Sequence, residues 1–128
     1  MARGFPMSMQ ACTIAVIDDD PRVLESLVNL LRSFGYSVQS YKSAEQFLES
    51  GTLSGTDCII TDVEMQQMSG LGLLQFLKSI DCTVPVIIIT GKPSARSEAF
   101  YLECGAAGFF RKPVDGDALV DLIGSVCA

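Results

Sequence analysis

The sequence predicts a doubly wound α/β domain, a parallel sheet covered by helices on both faces. Two observations carry this expectation. Short β-branched or apolar runs alternate five times with segments of helical apolar spacing. One of those runs, VPVIIIT over residues 84–90, is apolar almost throughout, as a central strand buried on both faces requires. Five strand–helix units within 128 residues imply parallel pairing through crossover helices.

The elements follow in order. TIAVI, Thr13–Ile17, reads as the first strand. Asp20-Pro21 caps and opens a helix carrying Leu24, Leu27, Val28, Leu31 and Phe34 at helical spacing, and Gly35 ends it. Residues 36–41 alternate, as a strand near an edge should. Ser43 and Gln46 fit a capping box for a short helix with Phe47 and Leu48 inward. Residues 57–61 form the third strand, with Cys58, Ile59 and Ile60 as a continuous apolar run. After a turn at Ser69-Gly70, the residues Leu73, Leu74, Phe76, Leu77 and Ile80 mark the third helix. A fourth helix is expected over about 94–103, closed by Cys104-Gly105, then a last strand over 107–110. The last helix covers 115–126, with Leu119, Leu122, Ile123 and Val126 inward. Residues 1–11 read as a flexible leader without the apolar stretch of a signal peptide, and 12–128 as one domain.

Composition narrows the function. Hydrophobic residues make up 48% and charged ones 19%, as in a compact globule. A net charge of −6 counts against non-specific nucleic-acid binding by this domain, because phosphates repel it. No apolar run approaches the roughly 20 residues of a membrane span. Five dispersed cysteines with no CxxC and no histidine argue against zinc and for reduced thiols in a cytoplasm. Cys58 and Cys104 read as packing residues, whereas Cys12 and Cys127, near the termini, are expected to be exposed.

In a parallel sheet all strand C-terminal ends share one edge, and ligands bind there where the strand order reverses. Strand one ends in Asp18-Asp19-Asp20, strand three in Asp62, strand four in Thr90 and strand five in Lys112. Core packing does not account for that collection. Crowded carboxylates repel unless a cation shares the site, and Mg²⁺ suits oxygen ligands and a phosphate together. One acid is then free to act as nucleophile, as an aspartyl phosphate requires. Lys112 can neutralise phosphoryl charge and the Thr90 hydroxyl can donate to it. Taken singly, Asp20 reads as a helix cap and Thr90 as a turn residue. Together the four strand ends are a strong signal.

VIDDDPRV, IITDVEMQQMSG, VIIITG and FFRKP, in this order and spacing, resemble the receiver domain of bacterial two-component response regulators over nearly the whole chain. The resemblance implies a flavodoxin-like strand order, 2-1-3-4-5. It implies that Asp62 accepts a phosphoryl group from a histidine kinase or phosphotransfer protein, and that the domain is a signalling phosphoacceptor rather than an enzyme. Asp18 and Asp19, with Asp62 and the Glu64 backbone carbonyl, would hold Mg²⁺. Thr90 and Lys112 would contact the phosphoryl group. Phe109, three residues before Lys112, matches the aromatic switch position that works with Thr90, and the Lys112-Pro113 bond would be cis. The fourth helix, fifth strand and fifth helix would form the output surface and the face of a phosphorylation-dependent homodimer. GYSVQSYKSAEQFL is further similar to FixJ-like regulators, which usually carry a LuxR-type DNA-binding domain. Gln66 stands where the family commonly has proline, four residues after Asp62, so a less rigid loop is expected. Glu64 adds an acid at the pocket mouth, where Lys92 is expected to face it.

Rival motifs are weaker. A phosphate loop needs glycine five residues before Gly91-Lys92, where Val86 stands. GLGLLQ, from Gly70, has Gln75 in place of the third glycine of a dinucleotide fingerprint. Asp18-x-Asp20 resembles the nucleophile motif of haloacid-dehalogenase-like phosphatases, but that reading leaves Asp62 without a role. A binding-only pseudo-receiver would not need the full set of acids, threonine and lysine.

Overall fold

The computed structural model describes residues 12–93 and 96–127; the expected leader, 1–11, lies outside the described residues. In chain order the strands are β1 (Thr13–Ile17), β2 (Ser37–Tyr41), β3 (Cys58–Asp62), β4 (Val86–Thr90) and β5 (Gly108–Arg111). The α-helices between and after them are α1 (Pro21–Ser33), α2 (Ala44–Glu49), α3 (Gly70–Ser79), α4 (Glu98–Glu103) and α5 (Gly116–Val126). All the strands are parallel and pair in the order β2-β1-β3-β4-β5. The doubly wound expectation therefore holds, with the reversal of strand order between β1 and β3. That reversal opens a crevice at the C-terminal edge.

Alternation along each strand builds two cores. Ile14, Val16, Ile60, Ile87 and Ile89 pack with Leu24, Leu27 and Leu31 of α1 and with Leu119 and Ile123 of α5. Ala15, Ile17, Ile59 and Ile88 face the other way, against Phe47 of α2, Leu73, Leu74 and Leu77 of α3, and Tyr101 of α4. Burying one such aliphatic side chain contributes roughly 1.5–3 kcal/mol, so β1, β3 and β4, covered on both faces, anchor the sheet. Phe109 packs towards the α2–α4 layer and Phe110 towards the α1–α5 layer, as neighbours on one strand must.

The helix starts follow the expected chemistry. Asp20 caps α1 by accepting the Arg22 N–H at 2.9 Å. Ser43 accepts the Gln46 N–H as the expected cap of α2, while the Gln46 side chain reaches back one residue past the cap to accept the Lys42 N–H. Ser69, Ser97 and Asp115 cap α3, α4 and α5. Losing one such cap costs about 1 kcal/mol.

Some expectations are corrected. Phe34 and Ile80 are 53% and 49% exposed because they are C-cap residues, beyond the last helical turn that faces the core. Phe76 is also exposed, since Leu73, Leu74 and Leu77 form the inward stripe of α3. Helix α4 starts at Glu98, after the Ser97 cap, rather than near residue 94, which lies outside the described residues. Strand β4 starts after Pro85, which has no N–H to give the ladder. Cys12 is buried, not exposed. It packs in the α1–α5 layer with Cys58 and the half-buried Cys127, and these thiols meet at the N-terminal edge of the sheet.

Candidate functional site

Strands β1 and β3 end side by side, and each ends in acid. Asp18 follows β1 and is fully buried; Asp62 closes β3 and is 5% exposed; Asp19 is exposed. Carboxylate oxygens of Asp18, Asp19 and Asp62 all lie within 4.8 Å of one another. Lys112, just past β5, reaches between them, with Nζ 2.9 Å from Asp18 Oδ2 and 3.4 Å from Asp62 Oδ2. Asp18 Oδ1 accepts the Asp20 N–H at 2.9 Å, so both oxygens of Asp18 are engaged. Asp62 Oδ1 is buried and has no hydrogen-bond partner among the described residues. That orphaned oxygen marks Asp62 as the carboxylate with a free position.

Asp18, Asp19, Asp62, Glu64, Lys92 and Lys112 line one cavity of about 540 Å³. Its inner wall holds three carboxylates against one ammonium. Burial, and then the charge of Asp18, raises the Asp62 carboxyl above its ordinary value, while Lys112 and the Glu64 N–H favour its anion. For Lys112 burial opposes the charge, but the Asp18 hydrogen bond and both carboxylates outweigh it and hold the ammonium above its ordinary value. The carboxylate excess, the free oxygen and the short spacings fit a hard divalent cation with oxygen ligands.

Thr90 ends β4 and is fully buried; its hydroxyl oxygen accepts the Lys92 N–H at 3.1 Å. It does not line the cavity, whereas the next two residues, Gly91 and Lys92, do. Asp20 caps α1 and also engages the Arg22 side chain, as its helix-cap reading anticipated. Glu64 and Lys92 are exposed at the cavity rim, and no ion pair within 4 Å joins them. Phe109 stacks on Tyr101 at 5.4 Å between centroids, with the Arg111 guanidinium 5.2 Å over its ring. The Lys112-Pro113 peptide is cis.

Two glycines and one glutamate also shape the site. A Cβ on Gly91 would lie 3.3 Å from Lys112 Cδ, so the glycine leaves the lysine stem its path. A Cβ on Gly70 would collide with the Asp62 backbone carbonyl, so α3 can start hard against β3 only with glycine there. Glu45 accepts a backbone N–H from the loop after Asp62. In the sequence Gly70 reads as a turn and helix start and Gly91 only as half of a failed phosphate-loop match, and nothing distinguishes Glu45 from a solvated helix residue.

The model of the response regulator receiver domain matches residues 14–124. The chain belongs to that family. The receiver domain is the phosphoacceptor module of two-component signal transduction, and this chain is similar to several such proteins. It is 38% identical over 117 residues to the response regulator protein TodT of Pseudomonas putida, covering 91% of this chain and 52% of TodT. It is 39% identical over 111 residues to the transcriptional regulatory protein FixJ of Azorhizobium caulinodans, covering 87% of the chain and 53% of FixJ. The chain thus spans about half the length of these curated relatives. Among solved structures it resembles the response regulator StyR, with a TM-score of 0.84, 34% identity and coverage of 91% and 59% of the two chains. It also resembles FixJ-N, with a TM-score of 0.79, 29% identity and coverage of 91% and 93%. The FixJ-like likeness of this receiver domain is therefore shown from both directions.

Proposed function

We propose that Asp62 is the residue of this receiver domain that takes the phosphoryl group. The observation that carries the reading is its unpartnered, buried Oδ1 at the end of a central strand, beside Asp18, Asp19 and Lys112. A carboxylate oxygen of Asp62 attacks the phosphorus of a phosphohistidine on a histidine kinase or phosphotransfer protein. The P–N bond breaks, its electron pair stays on the imidazole nitrogen, and that nitrogen is protonated. Hydrolysis later breaks the P–O bond and returns the electron pair to Asp62. Asp18, Asp19, Asp62 and the Glu64 carbonyl would hold Mg²⁺, which when bound would neutralise charge on the transferring group. Lys112 offers its ammonium to the phosphoryl oxygens. Thr90 turns its hydroxyl from the Lys92 N–H towards them. Phe109 then leaves its stack on Tyr101, which changes the α4–β5–α5 surface and permits a homodimer there.

The phosphatase rival, with Asp18 as nucleophile, is disfavoured because it gives the free, buried Asp62 oxygen no role. A pseudo-receiver has no use for the free Asp62 oxygen. In this reading the domain is not an enzyme with turnover; phosphorylation and dephosphorylation occur on the chain itself. Its free cysteines suit a cytoplasmic setting, and among the described residues no helix is long and apolar enough to cross a membrane. With a net charge of −6 the domain leaves nucleic acid to a DNA-binding partner segment of the LuxR type in the parent protein.

The direct test is intact mass after incubation with Mg²⁺ and acetyl phosphate. Wild type gains one phosphoryl group and Asp62→Asn gains none. Equal labelling of the variant overturns the assignment.

A further inference from the structure

The loop that carries Glu64 runs from Val63 to Ser69, with no proline in it. One end is fixed by β3, and the Gly70 N–H bonds the Val63 carbonyl at 3.0 Å, closing the excursion. The residues between are free to move as a flap unless something outside the loop holds them. Glu45, in the first turn of α2, does so: its Oε2 accepts the Met68 N–H at 2.8 Å, across 23 residues of sequence. The contact is half-buried, and the Met68 side chain packs on the α2–α4 core. Both α2 and the loop lie at the sheet edge that bears the acids.

We propose that Glu45 is a positioning residue for the phosphoacceptor loop, pinning Met68 so that the Glu64 backbone keeps its place beside Asp62. The inference rests on the reading of Asp62 as phosphoacceptor. Glu64 lies two residues past Asp62 and lines the same cavity, so a loop displaced at Met68 moves backbone that borders the carboxylate. A buried acceptor bonding a backbone N–H is strong when the acceptor is charged, and its loss leaves the N–H without a partner. The second oxygen, Oε1, is buried and unpartnered, so among the described residues the Met68 N–H is the hydrogen-bond partner of this carboxylate. The geometry also answers the expectation of a slack loop at Gln66: the constraint comes from a neighbouring helix instead of from the loop's own backbone.

The test compares wild type, Glu45→Ala and Glu45→Gln, whose amide oxygen accepts the same N–H. In metal-free protein, Glu45→Ala should speed amide exchange at Met68, and also at Glu64, which Glu45 does not bond, by about ten-fold. It should raise the Mg²⁺ concentration giving half-maximal thermal stabilisation. It should slow labelling by acetyl phosphate about ten-fold, equivalent to about 1.4 kcal/mol in the barrier. Glu45→Gln should stay near wild type in all of these. Faster exchange at Met68 with Glu64 unchanged, or a wild-type Mg²⁺ response in Glu45→Ala, overturns the proposal. A lowered melting temperature alone, with the Mg²⁺ midpoint and labelling rate unmoved, also overturns it. If Glu45→Ala does not fold, Glu45→Asp, which draws the carboxylate back by one methylene, takes its place with the same readings. Failure of wild type to label at Asp62 sinks the phosphoacceptor reading, while the exchange comparison still judges the clamp.

Discussion

Lys112 Nζ lies 2.9 Å from Asp18 Oδ2, joining residues 94 positions apart across the sheet edge. The aspartate is fully buried and the lysine side chain 23% exposed. Removing the cation leaves a buried carboxylate uncompensated, with Asp62 beside it. Lys112→Ala should therefore lose about 3 kcal/mol in Mg²⁺-free urea unfolding. Saturating Mg²⁺ should restore part of that loss, and equal stability of variant and wild type without Mg²⁺ would refute the argument.

Asp62 gives a pH dependence of defined sign. Its folded carboxyl is raised above the ordinary value of 3.8, by burial and then by Asp18. The folded state therefore holds this proton more tightly than the unfolded state does. Its contribution to stability falls as pH rises from the unfolded to the folded value, and stays reduced above it. Asp62→Asn removes the term. Without Mg²⁺ the variant should match wild type in acid and melt a few degrees higher at neutral pH. A variant that melts lower at pH 7 would contradict this.

Asp19 is exposed and close to both buried acids, a position for a metal ligand that needs no structural role. Ligand binding to the folded state alone stabilises by about 2.7 kcal/mol at 100 times the dissociation constant. Asp19→Asn should flatten the rise of melting temperature with Mg²⁺ and slightly raise the metal-free melting temperature by removing a like charge. Calorimetric titration provides the check, and an unchanged Mg²⁺ affinity excludes Asp19 as a ligand.

Glu64 and Lys92 flank the cavity rim without an ion pair, so any coupling between them acts through space and solvent. Exposed charge pairs contribute about 0.2–1 kcal/mol, which translates into at most roughly five-fold in a rate. Glu64→Ala and Lys92→Ala should each change the lifetime of phosphorylated Asp62. The double variant should be non-additive at low salt and closer to additive at high salt. Strict additivity at low salt would show that the two charges act independently.

Much of this molecule is readable in its sequence. Strand pairing follows from runs such as Ile87 to Ile89, whose continuous apolarity demands cover on both faces. The acids and Lys112 were legible because strand ends in a parallel sheet must gather at one edge. What escaped depends on distance across the fold. Glu45 looks like any helix-surface glutamate until α2 is set against the 63–69 loop. The Tyr101–Phe109 stack needs the packing of α4 on β5. Phe34 and Ile80 misled because helical spacing continues one residue past the last turn that can face inward, and spacing alone does not show where the helix stops.

The thiols at the far edge of the sheet have a practical consequence. Burial, and then a hydrogen bond with Cys127, pushes the Cys12 thiol up to about 12, and Cys127 is raised by its bond to Cys58 and by burial. Thiolate is the reactive form, so Cys12 and Cys127 should react slowly with alkylating reagents while the chain is folded. Cys82 and Cys104, half-buried and outside that cluster, are the ones open to early labelling. The slow reaction of the buried Cys12 then becomes a built-in clock for opening of the whole sheet. It sits at the end remote from the acids, so fold integrity can be timed while the phosphoryl chemistry proceeds undisturbed.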